Sequence, residues 1–151
     1  MADFTTRPAT MVDAEAITDV FLRSLRLLAF LPILHTAEEN LGFIRHVILK
    51  EYVVTVAEAG SGIASFMARG GQEIRLLYTH PDFIGRGAGS LLMATAKVSG
   101  VDALELWCFQ ANLRARRFYE GLGFKAIRFT DGRDNEEKKP DVRYRWQRDW
   151  G

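Results

Sequence analysis

The chain has 151 residues, enough for one domain spanning 1–151 and hardly two; its 48% hydrophobic and 26% charged residues are ordinary for a globular protein. A formal net charge of +1 recommends neither nucleic acid nor an anionic membrane as a partner. The single cysteine, Cys108, excludes an internal disulfide framework and fits a reducing compartment; the apolar run 27–34 is too short to span a bilayer and the start MADF opens no signal peptide, so the cytoplasm is the expected address.

Residues 4–7 are predicted to form a short first strand. Thr10, with Asp13 three residues on, opens a helix whose apolar stripe is Ile17, Val20, Phe21, Ser24, Leu25 and Leu28, stopped by Pro32. Thr36 and Glu39 form a better capping box for a second helix facing inward with Leu41, Ile44 and Ile48. A meander follows: residues 52–58, a turn at Gly60-Ser61-Gly62, residues 63–69, a turn at Gly70-Gly71, and the strand 73–79 (EIRLLYT), which ends at His80-Pro81. The second half alternates. A helix over 87–98, a strand over 104–109, a helix capped by Asn112 and closed by Gly123, a strand over 124–130, a polar loop over 131–141 and a last strand over 142–148 complete the order β-α-α-β-β-β-α-β-α-β-β. An antiparallel meander leading into a βαβ unit predicts a mixed sheet.

Between the third meander strand and the next helix lies Phe83-Ile84-Gly85-Arg86-Gly87-Ala88-Gly89-Ser90. Glycines at alternate positions let the backbone approach a ligand closely. The unpartnered amides that open the helix, at the positive end of its dipole, suit a pyrophosphate, with Arg86 as an added charge. A glycine-rich turn made only for close strand–helix packing has the same composition. A phosphate-binding Walker loop is disfavoured because no Gly-Lys-Ser/Thr follows, and a dinucleotide fingerprint because the spacing is G-x-G-x-G in mid-chain.

The second element is Asn112-Leu113-Arg114-Ala115-Arg116-Arg117-Phe118-Tyr119-Glu120-Gly121-Leu122-Gly123-Phe124. With the glycine loop and the opening FTTRPATMVDAEAI, it makes nearly the whole chain resemble the GNAT superfamily of acetyltransferases. The loop is similar to that family's Gln/Arg-x-x-Gly-x-Gly/Ala, except that Ile84 stands at the first position; the second segment is similar to its N-x-x-A-x-x-F-Y-x-x-x-G-F. The resemblance implies an α+β fold, with a mixed, mostly antiparallel sheet of about seven strands and about four helices on both faces. It implies an acetyl-CoA-dependent N-acetyltransferase in which a primary amine of a small molecule or peptide attacks the thioester directly.

The chemistry sets demands of its own. An alkylammonium is only about 0.1% neutral near pH 7.5, so a base or water relay is needed. A developing oxyanion needs placed donors, each worth roughly 10²- to 10³-fold. By resemblance Tyr119 is the general acid toward the departing thiolate, although a core tyrosine would occupy the same position. The resemblance also implies that the backbone amide of Leu77 faces the thioester, an ordinary ladder strand being the alternative, and it supplies the cofactor residues that follow. The cofactor set is Leu77, Tyr78, Thr79, the loop residues Ile84, Gly85, Arg86, Gly87, Ala88, Gly89 and Ser90, then Asn112, Arg116 and Tyr119. Glu73 is the candidate base, a solvated strand-end carboxylate being the alternative; Glu105 is the weaker candidate.

The resemblance places the acceptor site between residues 30–35 and the loop DGRDNEEKKPD, which reads either as a solvated loop or as one whose Asp134, Glu136 or Glu137 would attract a cationic amine. His35, His46 and His80 have no metal-ligand spacing, so no metal is expected. Relatives that dimerise through the last strands make a homodimer conceivable, with Trp146 and Trp150 either interfacial or core. Two competing readings stand beside transfer: a non-catalytic acyl-CoA-binding module, and a nucleotide-binding domain using the same loop.

Overall fold

The computed structural model describes residues 3–60 and 62–150; the centre of the predicted turn at Ser61, the first two residues and Gly151 lie outside the described residues. Seven strands form one sheet in the order β1-β2-β3-β4-β5-β7-β6: β1 (Thr5–Pro8), β2 (Val53–Ala59), β3 (Gly62–Gly70), β4 (Glu73–Thr79), β5 (Ala103–Phe109), β6 (Lys125–Phe129) and β7 (Asp141–Gln147). Every neighbouring pair is antiparallel except β4 and β5. The mixed sheet that the meander and βαβ pattern predict is therefore present, with each strand within two residues of its expected ends.

The helices are α1 (Ala14–Arg26), α2 (Ala37–Phe43), α3 (Leu49–Glu51), α4 (Ala88–Lys97) and α5 (Leu113–Gly121). A π-helical turn over Ile44–Ile48 joins α2 to α3, so these run as one rod and the helical rods number four. The capping box at the head of α2 forms in both directions: the Thr36 N–H donates to Glu39 Oε1 at 2.8 Å, and the Glu39 N–H donates to Thr36 Oγ1 at 3.1 Å. At the far end of the chain's helical part, Gly123 takes φ 92°, and the Phe124 N–H turns back to the Tyr119 carbonyl at 3.1 Å.

Alternation along the strands divides the core into two layers. On one face, Ile17, Val20, Phe21, Ile44 and Ile48 of the first two rods pack on Val56, Phe66 and Leu76. On the other face, Leu92 and Met93 of α4 and Tyr119 of α5 pack on Met67, Leu106, Val142, Tyr144 and Trp146. Trp146 is thus a core residue, whereas Trp150 is exposed under the Lys125 ammonium, which lies 4.6 Å from its ring centroid.

One boundary departs from expectation in a way that matters to the site. Helix α1 ends at Arg26, well before Pro32. Pro32 disfavours helix at Leu31 and clashes with the Leu28 carbonyl of a continuing helix, and the helix has ended before either position. The chain leaves the helix axis, and the Phe30 ring meets Phe109 of β5 edge-on at 5.8 Å. Among the described residues no helix is long and apolar enough to cross a membrane, and no group of three or more His, Cys, Asp or Glu side chains is arranged to hold a metal.

Candidate active site

The parallel pair β4–β5 is joined only at its base. Glu73 is in register with Glu105, and the Glu105 N–H donates to the Gln72 carbonyl at 2.8 Å; no further register pair follows, so the two strands diverge toward their C-terminal ends. Arg143 of β7 braces this base, forming a bidentate pair with Glu73 and a 2.9 Å bond from its Nε to Glu105, which is also paired with Arg145. The carboxylate proposed from sequence as a base is thus tied into the brace at the closed end. It does not line the cleft that the open end creates.

Register fixes which backbone groups face that cleft. The His80 N–H bonds the Ala64 carbonyl at 2.8 Å, and Ser65 lies opposite Thr79. In an antiparallel ladder the bonded pairs alternate. Tyr78 and Leu76 therefore spend their backbone groups on β3, while Leu77 and Thr79 turn theirs toward the gap beside β5. The Thr79 carbonyl there accepts a 2.7 Å bond from the Ser24 hydroxyl at the end of α1. The Leu77 amide is on the unpaired edge, where a thioester oxygen could meet it.

The cleft has a volume of about 1340 Å³. Its floor and walls include Leu77, Tyr78, Thr79, Ile84, Gly85, Gly87, Ala88, Gly89, Ser90, Asn112 and Tyr119, which brings most of the expected set together. Gly85 and Gly87 have φ of 79° and 92°, the left-handed region, and a Cβ on either would meet nothing within 4 Å. Those glycines are required by the backbone path, not by packing. Gly89 differs: a Cβ there would sit 3.3 Å from Cζ of Phe118, so it serves close contact between α4 and α5. Both meanings of a glycine-rich turn are present in one loop, at different positions. With Gly87 as N-cap, α4 aims its first amides at the cleft.

Asn112 caps α5 through its side-chain oxygen, which accepts from the Ala115 N–H at 3.3 Å, leaving its amide NH₂ for another partner. Tyr119 is 8% exposed and its hydroxyl makes no hydrogen bond among the described residues, yet no buried side-chain oxygen or nitrogen there lacks a partner. The phenol oxygen therefore opens onto the cleft. Burial, with smaller contributions from Cys108 and Tyr78, pushes the phenol far above its ordinary value, so it is a neutral donor. Burial likewise pushes the Cys108 thiol up to about 12, which makes it packing and not a nucleophile.

Two expected cofactor residues are not on the cleft wall. Arg116 turns the other way: its Nε donates to the Tyr144 hydroxyl at 3.1 Å, and that hydroxyl donates to Glu120 Oε2 at 2.6 Å. On α5, positions 116 and 120 form one stripe and positions 115 and 119 the next, so the cleft receives Ala115 and Tyr119 together with Arg114. Arg86 is exposed, with its guanidinium 5.8 Å from the Phe83 ring centroid. Phe30, from the stretch expected to wall the acceptor pocket, and Arg114, one of three arginines of which one could reach the phosphates, line the cleft, and so do Ser24 and Phe83, which were assigned no role from sequence. Ser24 left a signal as the polar member of an apolar helical stripe.

The acceptor side adjoins the cleft on the face of β5 opposite α4 and α5. A cavity of about 470 Å³ there shares Arg75, Tyr78, Trp107, Cys108 and Phe109 with the cleft and is closed by residues of the 131–141 segment. Glu136 meets His35, so the two segments expected to flank the acceptor are in contact. Burial, then the nearby Glu137 charge, pushes the Tyr78 phenol up to about 12. Gly132 makes the loop possible: it has φ 86°, and a Cβ would fall 2.3 Å from the Lys139 carbonyl carbon.

The sheet splays at β4–β5 beside a glycine-headed helix, in line with the resemblance read from the sequence. The family model for the acetyltransferase (GNAT) domain matches residues 35–126, and the chain belongs to that family. Comparison with curated proteins gives no match. Among solved structures, the apo form of YjaB from Escherichia coli is similar with a TM-score of 0.78 and 24% identity, over 95% of this chain and 97% of that one. PaiA N-acetyltransferase from Thermoplasma acidophilum, in complex with coenzyme A, gives 0.76 and 18% over 96% and 99%. YncA from Salmonella typhimurium, with its cofactor acetyl-CoA, gives 0.73 and 19% over 97% and 94%. These likenesses establish the fold.

Proposed function

We propose that the chain transfers an acetyl group from acetyl-CoA to a primary amine by direct attack. The observation that carries the reading is the open edge of β4, which presents the Leu77 amide to the same cleft as the neutral phenol of Tyr119. Family membership and the coenzyme-bearing structures of PaiA and YncA support the choice of cofactor. The pyrophosphate would lie on the amides of residues 87–90, and the Asn112 NH₂ would take the pantetheine arm.

The ammonium first loses a proton to water at the open rim, since Glu73 is held by Arg143. The amine nitrogen then bonds the thioester carbon, and the Leu77 N–H stabilises the charge that develops on oxygen. As the C–S bond breaks, the sulfur takes the Tyr119 proton, the nitrogen loses its second proton, and the phenol is reprotonated from solvent. The balance is one ammonium and one thioester in, one amide, one thiol and one proton out. The cytoplasm, where a reduced lone cysteine is at home, is the compartment we propose.

Binding without turnover is the competing reading, and the engagement of Glu73 is what favours it. Calorimetry with acetyl-CoA followed by release of free thiol across a panel of amines separates them. Uptake with amine-dependent thiol release is expected; uptake without release from any amine would leave a binding module, and no uptake at millimolar acetyl-CoA would end both readings.

A further inference from the structure

The charged side chains of the 470 Å³ cavity divide into those already satisfied and those that are not. Glu73 is paired with Arg143 and Asp131 with Arg133, while Asp141 accepts from Thr130 and Asn135. Arg75, Arg128, Asp134 and Glu137 line the same cavity and have no ion-pair or hydrogen-bond partner among the described residues. Arg128 lies directly across from Arg143 in the β6–β7 register, but both acids within reach of Arg143 are already held by it. Arg75 rests on the Phe43 ring at 5.4 Å, with its donors free.

A cavity that keeps both signs unpaired, and does not pair them with each other, fits a ligand that carries both signs. A polyamine would bring cations against Arg75 and Arg128, and a dicarboxylate would bring anions against Asp134 and Glu137. Trp107 and Phe109 face the same space and offer an apolar wall. Tyr78 and Arg75 line both the cleft and the cavity and mark where the two meet. Asp134, Glu137 and Arg128 line only the cavity, whereas Arg75 lines both, so a carboxylate held between the two arginines sits where cavity and cleft meet and brings an ammonium on the adjoining carbon beside the cleft.

We infer that the acceptor is a free α-amino acid with an apolar side chain, its carboxylate held by Arg128 and Arg75 and its amino group turned from the adjoining carbon to the cleft. This inference rests on the acetyl-transfer reading above, and its chemistry is the same: the α-amino nitrogen gains the acetyl carbon and the thiol leaves. A cavity of this volume suits one such molecule. Two guanidinium forks facing one cavity suit a carboxylate better than two ammonium groups would.

The test compares leucine with leucinamide and 3-methylbutylamine, which keep the amine and side chain but lose the anion. We expect kcat/KM for leucine to exceed that for either analogue by about tenfold or more, as charge-assisted bonds allow. Arg128→Gln and Arg75→Gln should each remove most of that preference through KM, with kcat less affected. Both positions are exposed, so the variants should fold, and unchanged acetyl-CoA binding will verify it. A second readout needs no turnover: with coenzyme A present, N-acetyl-leucine should bind the natural chain more tightly than Arg128→Gln, and N-acetyl-3-methylbutylamine should not distinguish them. Equal handling of leucine and its analogues, or product binding indifferent to Arg128, overturns the inference alone. Failure to bind acetyl-CoA overturns the transfer reading and this one with it.

Discussion

The two halves of the candidate site are built by different means. The cofactor half uses backbone: an unpaired strand edge at Leu77 and Thr79, left-handed turns at Gly85 and Gly87, and the first amides of α4. The acceptor half uses side chains, from Arg75, Trp107, Phe109 and Arg128 on three strands and from Asp134 and Glu137 on the irregular segment 131–140, which touches residue 35 through Glu136. Backbone recognition depends on where a residue lacks a Cβ or a partner, and both follow from local chain geometry. Side-chain recognition depends on which distant segments meet, so the same few charges could serve many acceptors on one frame.

That contrast can be broken by mutations that act on one half only. The largest effect should come from Tyr119→Phe, which keeps the packing and removes the proton donor: kcat should fall about 10²-fold or more, with acetyl-CoA affinity unchanged by calorimetry. A wild-type rate would take Tyr119 out of the mechanism and leave it as core. Next comes Gly132→Ala, whose new methyl has no room against Lys139. It should displace the acceptor loop, raise KM for the amine by roughly 10- to 30-fold at an overpacking cost of about 1–3 kcal/mol, and leave acetyl-CoA binding alone. If acetyl-CoA affinity fell as well, the halves would not be separable.

Gly87→Ala makes the opposite test. The added Cβ meets no atom, but its φ of 92° is unfavourable for any L-residue. A strain of about 1–2 kcal/mol should weaken acetyl-CoA binding about tenfold and leave KM for the amine within twofold. The smallest effect should be that of Glu136→Gln, which removes the charge from the contact with His35. Exposed pairs contribute about 0–1 kcal/mol, so KM should rise no more than a few-fold; a larger loss would make this contact the main closure of the acceptor half.

The same division explains what was legible beforehand. The capping box of Thr36 and Glu39, the stop at Gly123, the strand alternation and the loop glycines are local features, and each forms where the chain pattern places it. The family motifs brought Tyr119, Asn112 and the loop to one cleft. What failed to show was tertiary. Glu73 is claimed by Arg143, 70 positions away, and Arg116 by Tyr144, 28 positions away. Helix α1 stops at Arg26, and Phe30 beyond it meets Phe109, 79 positions away. Gly132 was one glycine in a polar loop until the Lys139 backbone came to lie against it. The π turn at Ile44–Ile48 left no sequence mark we could use.

The sequestered phenol has a kinetic consequence. An ordinary tyrosine ionises near pH 10, and an enzyme relying on one would lose its acid there, so its rate would fall again at high pH. Here the surroundings hold Tyr119 protonated well past that point. The rate should therefore climb as the amine sheds its proton and then level off, a profile with a rising limb and a plateau, up to the pH at which the fold itself gives way.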